Sequence, residues 1–348
     1  MPATQAGSTV LVTGANGFVA MWVVRKLLEE GYHVRGTIRS ASKGDYMRKV
    51  FEDLGDKLEL VVVPDIEKEG AFDEAVKGVD AVVHMASPYH FGAVDPAELI
   101  DPAIRGTLSI LQSALKYGTN IRRIVITTST AAMVRPTNTP IVFTEDDWND
   151  ASIQEVKEKS RDAPGYIKYF ASKTLAERAA FDFVEKNKES IGWDLVTIAP
   201  PYIFGPMINE LSSPSSANAS LAEWYQAILE SAKSPEELKT SGNAWADVRD
   251  IALAHVRAIQ QPEAEGRITV SADSFNWHDW VDVVHSLNPS PYPPNSYVQS
   301  DPSYDPKTAV RLLNFDTTKA RRVLGIDKYI SMEQSARDML EDFRSRGW

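Results

Sequence analysis

Up to about residue 200, short apolar runs alternate with amphipathic stretches, and this alternation limits the possible folds more than any other feature of the chain. The runs are Thr9–Thr13 (TVLVT), Val34–Ile38, Leu58–Val63 (LELVVV), Ala81–Met85 (AVVHM), Ile124–Thr128 (IVITT) and Leu195–Ala199 (LVTIA). They are rich in β-branched residues and apolar at almost every position. A strand with one wet face would alternate polar and apolar residues; these do not, so both faces are buried, as in a parallel sheet with helices above and below. Stretches such as Phe18–Glu30 and Ile104–Lys116 between the runs carry a helical period. The order predicts an α/β, Rossmann-like, doubly wound parallel sheet.

After Pro200 the texture changes. Pro, Ser and Asn gather at Ser212–Ser220 and Pro289–Pro306, and helices are expected at Leu221–Ser231, Val248–Gln260, Trp277–Ser286 and Met332–Arg344. We expect residues 1–200 to form a dinucleotide-binding domain. Residues 201–348 form a smaller, mostly helical substrate lobe with parts returning to the sheet. Residues 135–164 read as a long loop with little regular structure, the kind of segment that often carries function.

The net charge of −11 argues against nucleic acid and anionic membrane surfaces as partners. There is no cysteine, so thiolate catalysis and disulfides are excluded. The six histidines show no metal-ligand spacing, and no metal is expected. The N-terminus does not resemble a signal peptide, and no apolar run reaches the roughly 18–20 residues a membrane helix needs. The expected setting is cytoplasmic. Monomer and homodimer are both open.

The first run leads into VLVTGANGFVA. Gly14 and Gly17 sit between a buried strand and the helix that begins near Phe18. Glycine permits the tight turn and the close approach of a pyrophosphate, and a helix N-terminus offers free N–H groups to it. Arg39, with Lys43 nearby, stands after the second strand where an acidic residue would favour NAD. A guanidinium there can grip a 2′-phosphate, so NADPH is expected; a solvated charged loop is the competing reading. Asp65, after the third strand, is open between accepting a bond from an adenine amino group and closing a turn. Ala86 and Ser87, in HMASP, are small enough to let a cofactor pass.

Residues 169–173 read YFASK. Tyr169 and Lys173 are four apart and share a helix face. An exposed polar pair is the plain alternative, but the fifth strand ends in TTST and brings Ser129 to the same sheet edge. A phenol ordinarily titrates near ~10, too high for an acid–base group at neutral pH. A neighbouring ammonium lowers that value, and a serine hydroxyl can hold the oxygen on which charge develops. Together the three residue types suit hydride transfer to a carbonyl.

TGANGFVA, HMASP, TTS and YFASK together resemble the extended short-chain dehydrogenases/reductases. The chain is more closely similar to the NADPH-dependent carbonyl (aldehyde, methylglyoxal) reductases related to plant dihydroflavonol reductase. The likeness runs over almost the whole chain and includes PPYIFGP at 200–206 and ADVRDIALAHV at 246–256. It implies a catalytic trio of Ser129, Tyr169 and Lys173. It also implies a diphosphate turn of Gly14, Asn16, Gly17, Phe18 and Val19, and a 2′-phosphate grip from Arg39 and Lys43. Asp65 and Ile66 would flank adenine, Pro200 and Ile203 would wall the nicotinamide, and Ser220 would reach the diphosphate. The family usually has Thr-Ser-Ser where this chain has Thr-Thr-Ser; were Thr128 the polarising hydroxyl, Ser129→Ala would stay active.

The substrate pocket is expected to take His90, Phe91, Thr130 and its followers to Val134, Tyr202, Trp224 and Tyr225, with lobe packing as the alternative for each. Such walls suit apolar or aryl carbonyl compounds rather than nucleotide sugars. His84 reads as a satisfied core or near-cofactor histidine, and Glu145–Asp147 as a solvated acidic loop. The expected activity is NADPH-dependent reduction of aldehydes, ketones or keto esters. Alternatives are a hydroxysteroid-type or nucleotide-sugar dehydrogenase/epimerase, or a dinucleotide sensor without catalysis.

Overall fold

The computed structural model describes residues 4–87 and 92–348. The first part of the chain runs β1 (Thr9–Thr13), α1 (Phe18–Glu29), β2 (His33–Ile38), α2 (Ser42–Val50), β3 (Leu58–Val62), β4 (Ala81–His84), α3 (Ala97–Tyr117) and β5 (Arg123–Thr127). Next come β6 (Ile141–Phe143), α4 (Asp150–Lys159), α5 (Gly165–Asn187), β7 (Asp194–Ala199) and β8 (Tyr202–Phe204). The remainder is α6 (Ala219–Ile228), α7 (Pro235–Thr240), β9 (Gly242–Asp247), α8 (Val248–Gln260), β10 (Gly266–Thr269), β11 (Asp273–Asn276), α9 (Trp277–Ser286), β12 (Leu313–Phe315) and α10 (Met332–Ser345).

Seven strands form one sheet in the order β10-β7-β5-β4-β1-β2-β3, and every pairing in it is parallel. The chain leaves β1 toward β2 and β3, then crosses back to β4 on the other side. That reversal opens a crevice at the strands' carboxyl ends, where doubly wound sheets bind ligands. Alternate residues of each strand serve opposite faces. Val10 and Val12 pack with Met21 and Val24 of α1 and Ile251 and Ile259 of α8. Leu11 packs on the other face with Ile110 and Leu111 of α3 and Ala180 of α5. Both faces of the inner strands are covered, which is why they read as unbroken apolar runs, whereas β3, at the sheet edge, is not buried as its run LELVVV suggested, with Val62 46% exposed.

The seventh strand, β10, comes from beyond residue 260 and pairs with β7 from Gly266↔Val196 to Thr269↔Ala199. Two smaller sheets, β11-β9-β8 and β12-β6, were not foreseen in the sequence. Residues 135–164 are also more regular than expected, for they contain β6 and the ten-residue α4. The cause is local and legible: Asn149 caps α4 by accepting the Ser152 N–H at 3.0 Å, and its own amide donates to the Ala131 carbonyl at 2.9 Å. Glu145–Asp147 is likewise not a free acidic loop. The Glu145 carboxylate accepts the Thr269 N–H at 3.0 Å, and Asp147 pairs with Arg135 at 2.8 Å.

Beyond the main sheet an aromatic core forms around Trp280, whose ring centroid lies 4.9 Å from Trp245 and 5.1 Å from Phe204. Here β9 runs against β11, with Gly242 opposite Asn276. A methyl group on Gly242 would sit 1.8 Å from the Phe275 carbonyl oxygen, so the strands must part to admit it. Gly242→Ala is expected to lower stability by about 1–3 kcal/mol. A denaturant midpoint equal to that of the parent would show that the pairing yields more easily than this.

Candidate active site

The crevice at the reversal holds a cavity of about 550 Å³. Its first wall is the turn after β1. Gly14 has φ +63°, and a Cβ there would come within 3.1 Å of the Ala86 backbone, so the turn requires glycine for both its conformation and its clearance. Gly17 caps α1 with backbone alone; no side chain bonds to the helix start and no acidic residue lies in its first turn. The N-terminal N–H groups of α1 therefore face the cavity as an anion cradle. Gly17, Phe18 and Val19 border the cavity; Asn16 lies in the same turn, half-buried, but off the wall.

Thr13 and His84 lock this turn to the end of β4. The Thr13 hydroxyl oxygen accepts the N–H groups of Met85 and Ala86, each at 3.0 Å, so its proton is free to donate to His84 Nδ1 at 2.9 Å. His84 then carries its proton on Nε2. Burial, reinforced by the charge on Lys173, holds its pKa down at about 3, so the ring stays neutral.

The opposite wall brings Ser129, Tyr169 and Lys173 onto one cavity. Ser129 follows β5, in extended backbone; its hydroxyl oxygen accepts the Ala131 N–H at 3.1 Å. Tyr169 and Lys173 project from the first turns of α5, both only 9 % exposed, with the ammonium 5.6 Å from the phenol ring centre. Lys173 Nζ donates to Ser87 Oγ at 2.9 Å. Burial lowers the Lys173 pKa to about 8, against the opposing pull of Glu177.

Glu177, one turn further along α5, was missed by the sequence reading. It is fully buried and accepts from Thr128 Oγ1 at 3.1 Å, Thr197 Oγ1 at 2.7 Å, and Arg267 Nε and Nη2 at 2.9 and 2.8 Å. The Thr128 hydroxyl is thus engaged by Glu177, although Thr128 and Ser129 both line the cavity.

Other expected positions divide. Pro200, Tyr202, Ile203, Ser220 and Thr130 line the cavity. Arg39 is exposed directly after β2, with no hydrogen bond or ion pair to the described residues, while Lys43 pairs with Glu210 at 3.3 Å. Asp65 accepts the Glu67 N–H at 2.9 Å and so closes a turn, and Ile66 lies against Gly106 of α3. Ala86 sits beside Gly14. His90 and Phe91 fall outside the described residues.

Trp224 and Tyr225 are corrections. Helix α6 buries Leu221, Trp224 and Ile228 on one stripe, and Trp224 packs on Trp280 at 5.8 Å and on Phe343 at 6.0 Å. Tyr225 stacks edge-on against Phe343 at 5.3 Å. Neither is on the cavity wall. The wall instead uses Val134, Tyr166, Phe170, Pro201, Asn218 and Asn243, which the sequence reading did not assign individually apart from Val134. Tyr166 and Phe170 could have been found, since they lie three before and one after Tyr169 on the same helix.

Residues 10–271 match the NAD dependent epimerase/dehydratase family. The chain belongs to this family, the extended short-chain dehydrogenases/reductases. It is 35% identical to the ketoreductase azaE of Aspergillus niger over 329 residues, covering 91% of this chain and 92% of the relative. It is 34% identical to aldehyde reductase 2 of Sporidiobolus salmonicolor over 343 residues, covering 96% and 95%. A crystal structure of Gre2 from Candida albicans in complex with NADPH superposes with a TM-score of 0.85 at 33% identity, over 98% of this chain and all 100% of that one. In this member of the family the Gly14–Gly17 turn and the Tyr169–Lys173 pair line a single crevice. Among the described residues no helix is long and apolar enough to cross a membrane.

Proposed function

We propose that this protein is an NADPH-dependent carbonyl reductase that converts aldehydes, ketones or keto esters to alcohols. The observation that carries this reading is the meeting of Ser129, Tyr169 and Lys173 with the Gly14–Gly17 turn on one cavity. The named activities of its relatives, ketoreductase and aldehyde reductase, support the same reading.

The residues present fit a dinucleotide. Gly14 and Gly17 keep the turn bare, the start of α1 is open to a diphosphate, and Arg39 has no protein acceptor among the described residues. A bound dihydronicotinamide supplies the hydride. Ser129 Oγ donates to the substrate carbonyl oxygen and holds it, stabilising the charge that develops there. Tyr169 gives that oxygen its proton, and Lys173, charged below about pH 8, makes the phenol a stronger acid. Pro200 and Ile203 would wall the nicotinamide end, and Ser220 would reach the diphosphate. Ala86 and Ser87 would let the cofactor pass, and Asp65 with Ile66 would flank the adenine. We assign Thr130 and Tyr202 to the substrate side.

Oxidation of NADPH by a panel of aryl ketones, keto esters and small dicarbonyls tests the reading; no turnover with any of them would overturn it. The cofactor choice has its own test. Arg39→Ala is expected to raise the KM for NADPH by about 10- to 100-fold, the loss of a charge-assisted phosphate contact, and to leave the KM for NADH unchanged. Equal KM values for the two cofactors in the parent, unmoved by the substitution, would remove Arg39 from the site.

A further inference from the structure

A second cavity of about 390 Å³ lies behind the reaction crevice. Four residues, Val134, Tyr166, Phe170 and Asn243, face both spaces, so they form the partition between them. Tyr166 and Phe170 meet edge-to-face at 5.7 Å on successive turns of α5. The second cavity holds two of the protein's large exposed apolar side chains, Tyr166 at 53% and Val310 at 59%.

The charged groups on its wall are already neutralised. Arg135 pairs with Asp147 at 2.8 Å, Glu155 with Lys159 at 2.8 Å, and Arg311 places one nitrogen 2.8 Å from both oxygens of Asp279. Each of these charges has a counter-charge, and of their buried polar atoms only Arg311 Nε is without a hydrogen-bond partner among the described residues. Besides the Tyr166 hydroxyl, the partition carries one further polar side chain, the amide of Asn243. The Asn243 side-chain oxygen accepts the Ala244 N–H at 2.8 Å, and its amide nitrogen has no acceptor among the described residues. It is a donor only, and Asn243 lines both cavities.

We propose that this annex receives the distal apolar part of the substrate, and that the Asn243 amide donates to a second oxygen lying between that part and the reacting carbonyl. The proposal rests on the carbonyl-reductase reading and names its substrate class. The preferred compounds are neutral, elongated dicarbonyls, such as keto esters whose ester group carries a long alkyl or aryl tail. The reacting carbonyl lies with Ser129 and Tyr169, the ester oxygen meets Asn243, and the tail passes Tyr166 and Phe170 into the annex. A tail ending in a carboxylate is disfavoured, because it would lose its water and the guanidinium groups nearby already hold carboxylates.

The test is a series of 3-oxobutanoate esters, methyl to hexyl, reduced by the purified full chain with NADPH. In the parent, kcat/KM is expected to rise about two- to fourfold per methylene, as burial of each CH₂ implies, and at least about thirtyfold from methyl to hexyl. Val310→Trp, which fills the annex from its exposed rim, is expected to flatten the series. The readout is the hexyl-to-methyl ratio, so a general loss of activity cancels. Asn243→Leu is expected to cut the preference for an ester over the ketone of equal length that lacks the second oxygen by about tenfold. A flat series in the parent, or a ratio untouched by Val310→Trp, would overturn the annex while turnover of the methyl ester kept the reductase. No turnover of any ester or aldehyde would overturn both.

Discussion

Tyr169→Phe is expected to lower kcat for carbonyl reduction by about 10²- to 10⁴-fold, the usual worth of a positioned general acid, and to leave the Kd for NADPH unchanged. The substitution removes one oxygen and its proton from a side chain that is otherwise held by its ring, packed with Leu99 and Ala131 in a small buried cluster. The ring packing is retained in the variant, so binding and chemistry can be measured apart. Stopped-flow hydride transfer and fluorescence titration of NADPH check the two halves. Retained turnover in Tyr169→Phe would hand the proton to another group, and loss of NADPH binding would make the phenol a structural anchor.

The pH profile adds a constraint from the same site. Lys173 has a pKa of about 8, below the ordinary lysine value, because burial disfavours its charge. Below that pH the ammonium is present and assists the phenol; above it the charge is lost. The kcat/KM for reduction is therefore expected to fall on the alkaline side with a midpoint near 8, provided hydride transfer limits the rate. The groups around Lys173 leave it the titrating centre. His84 on β4 is neutral throughout this range, Ser87 Oγ accepts its hydrogen bond, Tyr169 lies on its own helix, and Glu177 is the one anion acting on it among the described residues.

What the sequence displayed clearly were features enforced by neighbours close in the chain. A strand buried on both faces has to be apolar throughout, so β1, β2, β4, β5 and β7 were visible within a residue or so of their ends. The glycine turn and Tyr169–Lys173 were visible because backbone clearance and helical pitch dictate their spacing. Features set by distant parts of the chain were not. β10 is a four-residue strand whose identity depends on pairing with β7, some seventy positions earlier. The helix expected from Ile104 in fact starts at Ala97 and accommodates Pro102 within its first turns. Trp224 was assigned to the pocket for its aromatic character, but which face of α6 meets the lobe core is decided by Trp280 and Phe343, more than fifty residues away. Glu177 had no local signal beyond its spacing, since its partners Thr128, Thr197 and Arg267 come from three separate strand regions.

That buried carboxylate supports the second large expected effect. Glu177→Gln is expected to destabilise the protein by about 3–5 kcal/mol, because it leaves the Arg267 guanidinium, 3% exposed, without its counter-charge. The double variant Glu177→Leu with Arg267→Met removes both charges and is expected to recover most of that loss, as apolar replacements of buried pairs often do. Activity should not follow stability. Glu177 ties Thr128, the residue before Ser129, to the helix that carries Tyr169 and Lys173, and its charge favours the Lys173 ammonium. Without it, Lys173 loses its proton at lower pH, so the alkaline limb of kcat/KM moves toward neutrality in both variants. Equilibrium unfolding and pH–rate profiles measured side by side distinguish the two roles. A double variant with parental stability and an unmoved limb would make the pair a packing device alone, whereas a shifted limb in a stable protein makes Glu177 the residue that positions and charges the site from behind.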